Sequence, residues 1–576
     1  MLARKAEERW MVYTKRADFD RIAEKFGISP ITARILTNRG VTGDDAIASF
    51  LHAGAGCLPD PSEIPGMAEA ADLLLRKIEQ QARIRVVGDY DIDGVCSTYI
   101  LVTALRLAGA EVDYDIPDRI LDGYGINENI IRRASEDQVN TIITCDNGIA
   151  ARDQIALAKE LGMTVIITDH HEVKKDADGR DVLPPADVVI DPHCAGSGFP
   201  FPDICGAVVA WKLVRVLLTR AGCPEEAWKA DLDFAALATV GDVMPLTGEN
   251  RQIVKDGLRA IGHTGNPGLR KLVQMAGVDP EHITAYHVGF VIGPCINAGG
   301  RLETAKTAMK LFLSEDDAEA EALAAHLVEL NGTRKAMTEQ ETERACSLVE
   351  ENYGNDSVLV IYLPECHESL AGIIAGRIRE LYGKPTLVLT DGQSAVKGSG
   401  RSIEAYNMFA KLSEAESLML KFGGHPMAAG LSLKKENIGK LRQVLNEKSG
   451  LTEEDFVSTV WIDVPVPVRY VTEKLIDELA VLEPFGQGNE KPLFGELRLR
   501  IRSCRVLGRN RNVVKMVLQD DTGFAADAVW FGDGDAFEEE RAGRCGIDIA
   551  YWPELDEWNG RKKVQAVIRK YRFREE

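Results

Sequence analysis

Three aspartates, Asp89, Asp91 and Asp93, crowd the segment Gly-Asp-Tyr-Asp-Ile-Asp-Gly at residues 88–94. Unpaired carboxylates held that close raise one another's pKa values, so a divalent cation is the economical reason to gather them. Asp and Gly are also ordinary turn residues, and on this stretch alone a solvated acidic turn is an equal reading. Further acids and imidazoles tip the balance. Cys-Asp-Asn-Gly at 145–148 carries Asp146, Asp-His-His-Glu at 169–172 carries His170 and His171, and an apolar run at 234–240 breaks at Gly241-Asp242. Asp91, Asp93, Asp146, His170 and Asp242 make a carboxylate-rich set with one imidazole. Hard oxygen ligands with nitrogen suit Mn²⁺ first and Mg²⁺ second, and the absence of cysteine clusters argues against structural zinc. One acid shared between two ions would give the two-metal geometry of phosphodiester cleavage, with the ions ~3.5 to 4 Å apart.

Short apolar strands must position these groups. Residues 83–87, 112–116, 140–144, 164–168 and 188–190 each read as a buried strand, and helical patterns lie between most of them. That alternation predicts a doubly wound parallel sheet, which places its ligands at the carboxyl ends of the strands. Residues 95–107 read as the helix after the first acidic segment.

At 576 residues the chain exceeds one hydrophobic core, and about three or four domains are expected. Residues 1–65 read as a helical lead-in, 66–310 as the α/β domain with the acids, 311–352 as a long connecting helix, 353–450 as a second α/β lobe and 451–576 as a β-barrel of OB type. No apolar run approaches the ~18 to 20 residues of a membrane span, and the first residues lack a secretory core, so a cytoplasmic protein without a membrane partner is expected. The eleven cysteines are scattered without a C-x-x-C pair, which predicts reduced thiols. A net charge of -21 excludes indiscriminate coating of nucleic acid; any such binding must be local. The local candidate is the run of Arg498, Arg500, Arg502, Arg505, Arg509, Arg511 and Lys515 on the first barrel strands, with Trp530, Phe531, Tyr551, Trp552 and Trp558 supplying aromatics, some of them for stacking and some for the core. Without a barrel beneath it, that run would be a solvated strand face.

The acidic motifs, in their order along the chain, resemble the four motifs of the DHH phosphoesterase superfamily. Pro-Asp-Arg-Ile-Leu-Asp-Gly-Tyr-Gly at 117–125, Ile-Asn-Ala-Gly-Gly-Arg-Leu at 296–302, Gly-Ser-Gly-Arg-Ser at 398–402, Gly-Gly-His at 423–425 and Leu-Glu-Pro-Phe-Gly-Gln-Gly-Asn at 482–489 extend the resemblance. Over nearly the whole chain it is similar to the RecJ family of single-strand-specific exonucleases. The resemblance implies two α/β lobes of DHH and DHHA1 type joined by a long helix, followed by an OB-type barrel. It implies 5′ to 3′ degradation of single-stranded DNA in recombination and repair, with single-strand-binding protein and a helicase as associated partners.

For the site, the resemblance puts Asp91 and Asp146 on one Mn²⁺, and Asp93, Asp146, His170 and Asp242 on the other, with Asp89 as an additional contact. It puts His171 beside the scissile phosphate, where the alternative is a hydrogen-bonding role one layer back. Asn297 and Arg301 join the catalytic group, while Arg119, Tyr124, Ser399, Arg401, Gly423, Gly424 and His425 contact substrate, the first with Ser399 and Arg401 at the 5′-phosphate. Cys295 stands where the family pattern has an arginine. Two rival readings remain open: a DHH phosphodiesterase for short oligonucleotides or cyclic dinucleotides, and a replication scaffold without catalysis.

Overall fold

The strand Ile84–Val87 lies inside a five-stranded parallel sheet, with Val112–Asp115 on one side and Thr141–Cys145, Thr164–Thr168 and Val188–Ile190 following on the other. All five match the apolar runs expected of strands. The structure, a computed structural model, describes residues 8–52, 54, 58–558 and 561–575. It divides into two units, one formed by residues 53–339 with 484–490, the other by 1–52, 340–483 and 491–576.

In the first unit both faces of the sheet are covered, which is why its inner strands are mostly apolar, whereas the edge strand Val112–Asp115 alternates and its Asp113 pairs with Arg85 of the next strand. Val86, Ile143 and Ile166 turn to one face, into a core shared with the helices Ile92–Leu107 and Gly206–Arg220. Val87, Ile142 and Ile167 turn to the other, against Ile130, Ile131 and Ile155. Truncating one such residue to alanine removes about 2 to 5 kcal/mol. The strand order reverses between Ile84–Val87 and Thr141–Cys145, so the crevice of this doubly wound sheet opens where Asp89 and Asp146 leave their strands.

The helix Asp317–Leu348 carries the chain out of this unit. The other unit holds a mixed five-stranded sheet, in the order Met419–His425, Ala428–Leu433, Val396–Arg401, Thr386–Asp391 and Leu359–Tyr362. It also holds a closed barrel of Phe494–Leu507, Val513–Gln519, Ala525–Phe531, Arg561–Arg574 and Gly546–Trp558. Two expectations are corrected here. The lead-in is not purely helical: Glu8–Val12 is a strand, paired in parallel with Ser458–Ile462. That second strand, in the stretch 451–576 expected to form the barrel, stands outside it, because Val460 and Ile462 bury with Ala550, Trp10 and Val12 instead of closing the barrel wall. No helix of the described residues is long and apolar enough to cross a membrane.

Candidate active site

Gly88 ends the strand Ile84–Val87, and a Cβ there would lie 2.0 Å from Thr98 Oγ1, so only glycine lets the loop fold back on the following helix. That helix begins earlier than its apolar pattern predicts, at Ile92, because Asp91 caps it: Asp91 Oδ1 accepts from the amides of Asp93 (3.0 Å) and Gly94 (3.2 Å). Asp93 thus sits in the first turn. Its two oxygens accept from Gly206 and Ala207 N–H, each at 2.7 Å, and those amides open the helix Gly206–Arg220, whose positive end favours a carboxylate. Asp146 follows the strand Thr141–Cys145 with φ at 58°, a left-handed conformation that costs a non-glycine residue energy and recurs where function fixes a side chain. Asp242 ends the helix Leu232–Gly241, and the β-branched Val243 after it is left-handed too, at 58°.

These turns converge. His170 Nε2 lies 3.2 Å from Asp146 Oδ1, 3.5 Å from Asp93 Oδ2 and 3.8 Å from Asp242 Oδ2. Two groups of ligand atoms each fall within 4.8 Å of one another: Asp89, Asp91 and Asp146, and Asp93, His170 and Asp242; a third joins Asp146 with His170 and His171. Asp89, Asp93 and Asp146 are 0, 1 and 3% exposed. Burial, and then the neighbouring acids, holds the carboxyls of Asp89 and Asp146 far above the usual carboxylate range. Asp93 is raised by the same burial, although His170 opposes it, and Asp242 is pushed up to about 8 by burial and then Asp93. Burial lowers the pKa of His170, leaving a neutral imidazole of the kind that ligates metals. Asp89 Oδ1 accepts from Gly125 N–H at 3.1 Å, but its other oxygen is buried with no hydrogen-bond partner. An orphaned buried oxygen among mutually repelling acids and one neutral imidazole fits a pair of hard divalent cations.

His171 belongs to a different chain of contacts. Asp169, to which the sequence reading gave no role, lies 2.7 Å from His171 Nδ1 through Oδ1 and accepts from Ile149 N–H through Oδ2. Its place directly before the His-His pair was the available signal. Burial opposes both charges, yet the pair prevails: Asp169 stays below the usual carboxylate range and His171 rises to about 9. At neutral pH the ring is therefore an imidazolium, with Nε2 3.2 Å from the Tyr124 hydroxyl, which itself donates to the Asp146 carbonyl at 2.8 Å. Burial and the surrounding aspartates push the Tyr124 phenol up, so it stays neutral.

The helix Gly293–Leu302 closes over the acidic loop. Asn297 Oδ1 accepts from Ile92 N–H at 2.8 Å, and a Cβ on Gly300 would lie 2.2 Å from the Tyr90 carbonyl. Arg301 extends from this helix; burial and the nearby Arg119 lower its pKa to about 10, so it remains a cation. Arg119 stacks over the Tyr90 ring at 4.6 Å. Cys295 is buried, donating to the Val291 carbonyl at 3.2 Å and accepting from Asn331 at 3.3 Å, so it serves the packing between helices.

The remaining site residues of the sequence reading fall in the other unit. Ser399 and Arg401 project to one side of the strand Val396–Arg401, with Arg401 Nη1 3.4 Å from Ser399 Oγ. A Cβ on Gly372, in the first turn of the helix Ala371–Tyr382, would lie 2.8 Å from Ser399 Oγ and 3.1 Å from Arg401 Nη2. Hydroxyl, guanidinium and helix N-terminus thus meet, an arrangement suited to a phosphate. Gly423, Gly424 and His425 lie on the exposed edge strand Met419–His425, where Gly424 has φ at 146°. On the barrel, Arg498, Arg500, Arg502, Arg505, Arg509, Arg511 and Lys515 are all exposed, and Arg511 and Lys515 pair with Asp535 and Asp556. The expected division of the aromatics between core and surface is resolved: Tyr551 and Trp552 are core residues and Trp530 packs against Phe537 and Tyr571, which leaves Phe531 exposed. The Trp558 side chain is outside the described residues.

Three family models match the chain: the DHH family, N-terminal domain, over residues 83–241; the DHHA1 domain over 355–449; and the RecJ OB domain over 462–570. The single-stranded-DNA-specific exonuclease RecJ of Bacillus subtilis is 38% identical over 576 residues, covering 99% of this chain and 71% of that protein. The RecJ of Escherichia coli is 31% identical, over 97% of this chain and 98% of that one. The chain belongs to the RecJ family. A crystal structure of Thermus thermophilus RecJ in complex with Mn²⁺ superposes with a TM-score of 0.84 at 29% identity, covering 99% of this chain and 80% of that one. The RecJ structure with Mg²⁺ from the same organism gives 0.78 at 28% identity, over 99% and 79%. Both the parallel-sheet crevice and the barrel thus belong to a RecJ architecture for which metal-bound structures exist.

Proposed function

We propose that this chain is a single-stranded-DNA-specific exonuclease that works from the 5′ end by two-metal phosphodiester hydrolysis. The observation that carries it is the buried pocket of aspartates around His170, with its unpartnered Asp89 oxygen, in a chain of the RecJ family. Asp89, Asp91 and Asp146 would hold one Mn²⁺ or Mg²⁺, and Asp93, Asp146, His170 and Asp242 the other. When bound, the pair supplies positive charge against the phosphoryl oxygens and makes water nucleophilic at neutral pH.

The chain's own residues do the rest. The His171 imidazolium, oriented by Asp169, offers a proton-bearing nitrogen to charge that builds on the phosphate. Arg301 and Arg119 add fixed cations on the same unit, the latter held by the Tyr90 ring. Asn297 locks the acidic loop through Ile92, keeping the carboxylates in register before substrate arrives. Ser399 and Arg401 receive the terminal 5′-phosphate, which gives the enzyme its direction, and Gly423, Gly424 and His425 receive the strand's backbone. The barrel arginines hold the unpaired strand through its phosphates. The same reading extends to domain limits at 66–310, 353–450 and 451–576, to a cytoplasmic setting, and to work beside single-strand-binding protein and a helicase.

The test is digestion of 5′- and 3′-labelled single strands and of a blunt duplex with Mn²⁺. Mononucleotides should appear first from the 5′ label, with the duplex resistant. Equal attack on duplex, or first release from the 3′ label, would sink the reading.

A further inference from the structure

Ahead of the helix that carries Asn297 and Arg301, two large rings lie on the surface. Tyr286 and Phe290 are 64 and 67% exposed, and their rings stack 5.1 Å apart at 26° from parallel. Rings of this size contribute most when buried, so a stacked pair left in water calls for an occupant. The backbone between and beyond them is irregular: Val288–Ile292 is a π-helical turn, a feature that recurs at functional sites.

The same turn packs against two elements that carry the acidic ligands. A Cβ on Gly289 would lie 3.6 Å from Val240 in the helix that ends at Asp242, and one on Gly293 would lie 3.2 Å from Ile92, between Asp91 and Asp93. The helical path then continues directly into Gly293–Leu302 with Asn297 and Arg301. Phe290 and Arg301 are about 16 Å apart along such an axis, the reach of a few nucleotides of extended strand.

We propose that Tyr286 and Phe290 form a stacking platform for unpaired bases of the strand being digested, an inference that rests on the exonuclease reading above. Every base has a π-face, so a pair of parallel rings adds affinity without sequence preference. In a duplex those faces are already stacked within the helix, so the platform favours single strands. Its continuity with the elements that hold Asp242, Ile92 and Arg301 selects a nucleic-acid occupant over a partner protein.

The test compares the wild type with Tyr286→Ala/Phe290→Ala on a single-stranded oligonucleotide with Mn²⁺, measuring KM and kcat separately. The same strand is also presented with an abasic site walked one position at a time beyond the cleaved bond. The double variant should show a KM about tenfold higher with kcat within about twofold, as expected for loss of base stacking. Wild type should show a matching rise at one or two abasic positions, the double variant no further rise there, and Phe290→Trp a normal KM. An unchanged KM, rises that add on the abasic strand, or a defect seen only when another protein is present would overturn the platform. Should the double variant unfold, Phe290→Ser and the abasic walk on the wild type decide between the same outcomes. A wild type inactive on every single strand would overturn the exonuclease reading instead.

Discussion

Asp89, Asp91 and Asp93 alternate along one loop of the parallel-sheet unit, and Arg498, Arg500 and Arg502 alternate along one strand of the barrel. On the barrel strand the arginines face water while Leu499 and Ile501 between them turn to the core, an alternation that runs between two register shifts, with Arg498 left-handed at φ 63°. The loop is not extended: Gly88 folds it back and Asp91 starts a helix, so the acids converge inward where Asp89 and Asp93 are buried. Identical spacing of like charge thus gives two devices. Desolvated charge at a strand end creates an appetite for cations and supports chemistry; solvated charge on a strand face gives adhesion that salt can screen.

That contrast can be broken at four points. Asp146→Ala removes the acid common to both ligand groups and should cut Mn²⁺-dependent hydrolysis by about 10⁴-fold or more; retention within tenfold in a single-turnover assay would end the assignment. Asp169→Asn leaves the ligands intact and removes the charge that raises His171 to about 9. It should lower kcat by about 10- to 100-fold and move the alkaline limb of the pH profile towards neutrality, because the imidazolium then loses its proton at lower pH. On the barrel, Arg498→Ala/Arg502→Ala/Arg505→Ala should raise KM on long strands and flatten the log–log salt dependence by about 0.7 per phosphate contact removed. A barrel variant that instead lowers kcat on a dinucleotide would merge the two devices.

The smallest effect concerns stability. Asp242 has a folded pKa near 8, raised above its unfolded value, so folding favours its protonated form. The metal-free protein therefore loses stability as pH rises from about 4 through 8, and Asp242→Asn should be spared that loss. Since about a third of the side chain faces solvent, the variant's advantage should be on the order of 1 kcal/mol at pH 9 and near zero at pH 5, read by urea denaturation. Mn²⁺ should reverse the ranking, and a constant difference across pH would contradict the burial of this acid.

The parallel sheet is legible in the sequence because strands covered on both faces are short runs of apolar and β-branched residues, as in Thr-Ile-Ile-Thr-Cys at Thr141–Cys145. The strands that carry Ser399, Arg401 and the Gly423-Gly424 pair are not, since glycine-rich strands lack the β-branched signal and lie in a mixed sheet. Pairing of Glu8–Val12 with Ser458–Ile462 joins segments far apart in the chain with no local cue. At the site, residue types and strand ends make the acids and His170 readable. Asp169 escapes because its role depends on its hydrogen bonds to His171 and Ile149, which the sequence alone does not set out. Tyr551 and Trp552 escape for a related reason: residue type suggests stacking, and only the closed barrel reveals which side of its wall they occupy.

The bond between Ile92 N–H and Asn297 Oδ1 spans 205 positions of the chain. During synthesis, the acidic loop must wait for this partner until residues beyond 300 have left the ribosome. Until then a nascent chain holds repelling carboxylates without their clamp, so a hydrolytically competent nuclease is expected to appear only after more than half of the chain has been made. A cell making this enzyme would thereby be shielded from partly finished copies of it.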